Sequence, residues 1–197
     1  MRLYLVRHGR TQYNVNHLAQ GHIDVPLDEV GQNQAVKVAQ FFAKNPVQRM
    51  MSSDSERAFE TARLASVALG IPLETTTLLR ERSLGDLEGS PMTTLVKAWD
   101  AACSDGQSRF KVKPCGAESA YEVMDRVSTI TDDLHLDTRS TAIFTHGMTK
   151  EVILCRLLGA PVEVSRSFRF DNASITELRW AQDVWVLEKF NNTDHLR

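Results

Sequence analysis

The chain has 197 residues, of which 42% are hydrophobic and 24% charged, and its net charge is -2. That length suits a single domain, 1–197, with a full hydrophobic core. The near-neutral balance removes any global pull toward nucleic acid or an acidic membrane.

No apolar run reaches the length of a bilayer span, and nothing resembling a signal peptide precedes Leu3, so a cytoplasmic protein is expected. Three cysteines, Cys103, Cys115 and Cys155, lack pairing signatures and read as free thiols. The six histidines show no HxH or HxxxH spacing, so no metal site is expected.

Residues 2–6 read as a buried strand. Asp28 caps a helix reaching about Lys44, with Ala35, Val38, Ala39 and Phe42 on one face. Gln48 to Ser52 reads as a second strand. Asp54 or Ser55 then caps a helix whose inner stripe is Ala58, Ala62, Ala65 and Leu69, stopped by Gly70 and Pro72. Leu73 to Thr77 is β-prone, and residues 79–90 are loop-like. A helix is expected over about 91–102, followed by an irregular, mobile stretch at 104–116. Val123, Val127, Ile130 and Leu134 mark an amphipathic helix from about Ser119 to Leu136. Thr141 to Thr145 is a strand, and a helix runs from about Thr149 to Leu158. Two strands near 174–180 and 184–190, joined at Gln182, complete the chain.

Strands alternating with helices predict an α/β fold: a three-layer sandwich with a mostly parallel central sheet, helices on both faces, and a small helical and loop insertion at about 91–116. In such folds ligands bind beyond the carboxyl ends of the parallel strands. Two strands end alike, in Leu5-Val6-Arg7-His8-Gly9 and Ile143-Phe144-Thr145-His146-Gly147. If they are adjacent and parallel, both imidazoles emerge at one end of the sheet.

Other strand ends add Arg57 and Glu81. Arg57 falls in the first turn of a helix, where a cation opposes the helix dipole, and such local conflicts concentrate at functional sites. The plain alternative is a surface arginine paired with Glu56 or Glu60. Glu81 stands between Arg80 and Arg82, and its plain alternative is a solvated loop charge. Arg7, His8, Arg57, His146 and one carboxylate together suit a phosphoryl group, whose transfer is mostly positioning and charge stabilisation.

These residues carry a resemblance. LVRHGRT (5–11), Asn14, Gly21, Leu27 to Gly31, SSDSERAFETA (52–62), LRERSLGDLEG (79–89), PCGAES (114–119, one residue longer than the usual form), FTHG (144–147) and DNASITEL (171–178) occur in the order of the histidine phosphatase superfamily. The chain resembles the phosphoglycerate mutase-like branch over nearly its whole length. The resemblance implies that His8 is a nucleophile forming phosphohistidine. Arg7, Asn14, Arg57 and His146 would grip the phosphoryl oxygens, with backbone N–H groups near Gly147 adding donors. Glu81 would serve as general acid, then general base. It implies a small phosphorylated substrate and no cofactor or metal. His22-Ile23-Asp24 departs from the aromatic-rich segment of mutases and the insertion is short, which favours hydrolysis over a mutase reaction.

Other readings stay open. Cys103 to Arg109 fits CxxGxxR, the phosphate loop of cysteine phosphatases, but lacks a strand before it and a helix after it. A non-catalytic phosphate-binding protein is a further alternative. Arg80, Arg82, Arg109, Lys111 and Lys113 are candidate contacts for a second anionic group on the substrate. Trp180 and Trp185 suit either core or interface, which leaves room for a homodimer.

Overall fold

The computed structural model describes residues 1–132 and 134–197. Six strands form one sheet: β1 (Arg2–Arg7), β2 (Arg49–Ser53), β3 (Leu73–Thr76), β4 (Thr141–Thr145), β5 (Ile175–Ala181) and β6 (Val184–Asn192). Their spatial order is β3-β2-β4-β1-β5-β6. The first four in that order run parallel, and β5 and β6 add an antiparallel edge.

Helices cover both faces, as the alternating strand pattern requires. Successive side chains of a strand point to opposite faces. Leu3, Leu5 and Ile143 therefore join one core, with Val123 and Val127 of α5 (Ala120–Thr131) and Val152 and Ile153 of α6 (Gly147–Leu157). Tyr4, Val6, Ala142 and Phe144 join the other, with Val38 and Phe42 of α2 (Glu29–Lys44) and Ala62 and Ala65 of α3 (Glu56–Leu69). Both cores are needed because a parallel sheet exposes no face to water.

Several boundaries shift from expectation. The helix expected from Ser119 to Leu136 ends at Thr131, and a short 3-10 turn follows at Leu134–Leu136; the part of that span at Asp133 lies outside the described residues. The helix expected from Thr149 begins at Gly147, so His146 sits at its N-cap. Of the two expected caps, Asp54 or Ser55, it is Ser55 that stands at the N-cap of α3, without a side-chain cap hydrogen bond, while Asp54 pairs with Arg80. A short helix, α1 (Gln12–Val15), follows the first His; a single turn is too brief for periodicity to show it.

The stretch at 104–116 is irregular but not free of the body. With α4 (Met92–Ala102) it builds a third small core in which Trp99, Val112 and Ala117 pack with Ala19, Leu84 and Leu87. Trp185 is buried in the main core and Trp180 packs on it edge-on, so these tryptophans belong to the fold's interior side.

The loop leaving β1 is clamped to α2. Asp28 caps the helix by accepting from Gly31 N at 2.7 Å and pairs with Arg10 Nε at 2.7 Å. A Cβ on Gly31 would stand 2.0 Å from the Arg10 carbonyl oxygen. Gly31→Ala is predicted to cost on the order of 1–3 kcal/mol by overpacking a backbone contact that cannot relax cheaply. Urea unfolding of the variant measures this, and a shift below about 0.5 kcal/mol would show that the loop yields.

Candidate active site

The site begins with strand register. β1 and β4 are hydrogen-bonded neighbours in parallel, with Arg7 opposite Thr145. The next residue of each strand is a histidine, so register alone sets His8 beside His146. Their ring centroids lie 5.2 Å apart. Both are almost fully buried. The two sequence echoes therefore do converge.

The proton on His8 is fixed by its neighbour. Nδ1 lies 2.7 Å from the Gly9 carbonyl oxygen, which can only accept. Nδ1 is thus the N–H, and Nε2 carries the lone pair. Burial, then Arg57 and Arg7, hold the imidazole well below its ordinary value, against the Gly9 hydrogen bond, which raises it. His146 is lowered likewise, by burial first and then by Arg57 and His8. Among the described residues neither of its ring nitrogens has a hydrogen-bond partner.

Arg57 is wholly buried, which rules out the surface-arginine alternative. Its guanidinium donates to Ile23 O at 2.9 Å and Gly21 O at 2.8 Å, and its Nε has no partner among the described residues. Arg7 donates to Phe170 O and also leaves its Nε buried and unpartnered. Among the described residues neither arginine forms an ion pair with a carboxylate. Burying an unpaired charge costs several kcal/mol, so the buried Arg57 with the half-buried Arg7 beside it is a costly arrangement unless an anion joins them. Burial lowers both guanidiniums, yet an arginine stays protonated in proteins.

Glu81 approaches the start of α6. Its carboxyl accepts from the backbone N–H groups of Arg82 at 2.9 Å, Met148 at 3.2 Å and Thr149 at 3.2 Å. The segment is anchored by Thr145 Oγ1 on Leu79 O, Thr149 Oγ1 on Arg80 O, and His22 and Arg126 on Glu81 O. Gly147 stands between the parts: a Cβ there would sit 3.6 Å from Glu81 Oε2 and 3.7 Å from Arg7 Nε. Asn14 uses Oδ1 to accept from Thr11 N and from Asn172 Nδ2, both at 3.1 Å. What it can offer a ligand is its own Nδ2 donors.

Arg7, His8, Asn14, Arg57 and Glu81 line one cavity of about 440 Å³. Its outer half is walled by Leu95, Val96 and Trp99 of α4 together with Phe110 and Met148. Of the five cations expected near a second anion, only Arg82 and Arg109 reach this cavity. Arg82 stacks on Trp99 at 4.4 Å, and burial lowers it to about 10. Arg80 is taken by Asp54, Lys113 pairs with Glu122, and Lys111 lies over Tyr121. The expectation for those three is therefore corrected: a local carboxylate or ring outcompetes the cavity for each.

Arg166, Arg169 and Glu151 also line the cavity and were not anticipated. A charged residue on a late loop or second helical turn looks in sequence like any solvated charge. Asn172, which bridges Asn14 and the His8 carbonyl, lay within DNASITEL without an assigned part. The CxxGxxR match fails structurally. Cys103 ends α4, and Arg109 is turned onto Asp100 with no helix beginning after it.

The description "Histidine phosphatase superfamily (branch 1)" matches residues 3–193. A protein named probable phosphoglycerate mutase GpmB from Yersinia pestis (strain Pestoides F) is 34% identical, over 100% of this chain and 95% of that protein. The structure of a mycobacterial glucosyl-3-phosphoglycerate phosphatase with bound VO3 superposes with a TM-score of 0.85 at 30% identity, covering 98% and 99% of the two chains. The alpha-ribazole phosphatase of Shigella flexneri gives 0.86 at 28% identity, covering 98% and 96%.

The tautomer and charge of the histidines are testable directly. Ring 1H–15N correlation spectra are predicted to show His8 and His146 neutral at neutral pH, with midpoints well below the ordinary histidine value and His8 carrying its proton on Nδ1. A titration midpoint near the ordinary histidine value of about 6.5 would contradict the site as described.

Proposed function

The chain belongs to branch 1 of the histidine phosphatase superfamily, and from that premise we propose that it is a metal-independent hydrolase of a small phosphomonoester, working through a phosphohistidine. The observation that carries this reading is the His8 to Gly9 hydrogen bond, which leaves a lone pair on Nε2 in a site where, among the described residues, Arg7 and Arg57 lack carboxylate partners. A nucleophile must be unprotonated to attack, and the lowered His8 imidazole meets that demand.

In the first half-reaction His8 Nε2 attacks phosphorus and the ester oxygen departs. Arg7, Arg57, neutral His146 and Asn14 Nδ2 hold the phosphoryl oxygens, and the N–H groups at the start of α6 add to the field. Glu81 gives a proton to the leaving oxygen. In the second half-reaction Glu81 takes a proton from water, which attacks the phosphohistidine and restores His8. The two guanidiniums neutralise charge that a metal would otherwise meet.

A mutase reaction is the second reading, favoured by the Yersinia relative's name. Against it stands the outer cavity. Leu95, Val96, Trp99 and Phe110 offer apolar surface, which a small, fully polar phosphoglycerate does not use.

Two outcomes follow. His8→Ala is predicted to lower kcat at least on the order of 10^3-fold while leaving the fold intact. Turnover within tenfold of the wild type in steady-state assays would remove His8 as nucleophile. With a bisphosphoglycerate supplied, release of inorganic phosphate is predicted to exceed conversion of 3- to 2-phosphoglycerate. Conversion faster than release would establish the mutase instead.

A further inference from the structure

The cavity holds two carboxyl groups, and they are not equivalent. Glu81 already accepts from the backbone N–H groups of Arg82, Met148 and Thr149. Glu151, one helical turn beyond Gly147 on α6, lines the same cavity and makes no hydrogen bond to the described protein groups. Its nearest charge partner is Arg169, at 3.9 Å, outside hydrogen-bond range. Its side chain is only 16% exposed. A mostly buried carboxyl with unspent hydrogen-bonding capacity, facing a ligand cavity, finds its partner in whatever occupies that cavity.

A dianionic phosphoryl group held beside an ionised Glu151 would meet like charge in a low-dielectric space, whether or not Glu81 holds its proton. One carboxyl that stays neutral removes that repulsion and adds a donor. We propose that Glu151 is a further substrate-contacting residue, donating a hydrogen bond as a carboxylic acid to an oxygen of the bound phosphomonoester, and that its ionisation closes the cavity to dianions. This rests on the phosphomonoesterase reading above.

The groups around Glu151 agree with this assignment. Burial, with a smaller push from Glu81, raises it to about 8 against the pull of Arg169, Arg7 and Arg166. The charged groups facing it are Arg7 from β1, Glu81 from the loop after β3, and Arg166 and Arg169 from the loop before β5. Cys155, one turn further along α6, is pushed up to about 11, by burial first and then by Glu151. It stays a neutral thiol through neutral pH.

The test is the alkaline limb of kcat/KM with p-nitrophenyl phosphate. This ester is a dianion across the range, and its leaving group departs as a stable anion without a proton from Glu81. The wild type is expected to lose roughly 30-fold between pH 7 and 9.5, as expected for one group titrating near 8. Glu151→Gln keeps a donor without a charge, so it is expected to lose less than threefold while matching the wild-type KM at pH 7 within threefold. Glu151→Leu, which lacks charge and donor, is expected to be equally flat in pH but with KM raised at least fivefold. A limb unchanged in Glu151→Gln, or equal KM values for the Gln and Leu variants, would overturn the proposal.

If the wild type turned over no ester at any pH, the hydrolase reading would fall. Calorimetry with inorganic phosphate at pH 7.5 and 9.5 would then read Glu151 separately. Weakening of tenfold or more in the wild type, against under threefold in Glu151→Gln, supports the assignment, and equal weakening refutes it.

Discussion

Two guanidiniums, that of Arg57 wholly buried and that of Arg7 half-buried, without carboxylate partners among the described residues, are the constraint on which this structure turns. Arg57 carries a charge cut off from water, and Arg7 one whose Nε is buried. Taking such charges out of water costs several kcal/mol apiece, and the fold returns only part of it through carbonyl oxygens of Phe170, Gly21 and Ile23. The arginines are left with unspent attraction for an anion. The neighbouring imidazoles respond to the same field. A cationic, buried surrounding keeps His8 and His146 neutral, and a neutral imidazole is one that can attack.

The rest of the architecture holds this arrangement in place. Parallel pairing of β1 with β4 brings the histidines together, and no side-chain contact has to be arranged for it. Lys150, wholly buried, donates to Ser174 O at 3.0 Å, the same oxygen that receives Arg7 N at 3.2 Å. It also lies over the Phe170 ring, whose backbone carbonyl steadies Arg7. The loop before β5 is thereby tied to the strand end that carries the reactive residues. On the other side Thr61 Oγ1 accepts from Gly9 N and donates to Arg57 O, linking β1 to the helix bearing the second arginine.

The sequence made the frame legible because buried parallel strands are short apolar runs and their ends are abrupt. Leu3 to Val6 and Ala142 to Phe144 admit few other readings, and a His-Gly after each is visible at once. Arg57 was visible as a conflict with the helix dipole, and burial explains the conflict. Glu81 was legible as a strand-end carboxylate, against the plain alternative of a loop charge between two arginines, and the family resemblance supplied its role as acid and base. Glu151, Arg166 and Arg169 were illegible for a related reason. Their place in the cavity depends on how α6 and the loop before β5 pack, and no local pattern encodes that packing. The lysines at 111 and 113 misled in the opposite direction: cationic sequence near the site suggested ligand contacts, but Tyr121 and Glu122 lie closer.

The central claim is that a neutral His8, with its proton on Nδ1, attacks phosphorus through Nε2. Rapid quenching of the protein during turnover of a phosphomonoester, followed by peptide mass spectrometry and 31P NMR of the adduct, tests it most directly. The account predicts one acid-labile, base-stable phosphoryl group, bonded to Nε2 of His8. A phosphoryl group on Cys103, on Nδ1 of His8, or on no residue at all while turnover proceeds, would contradict it.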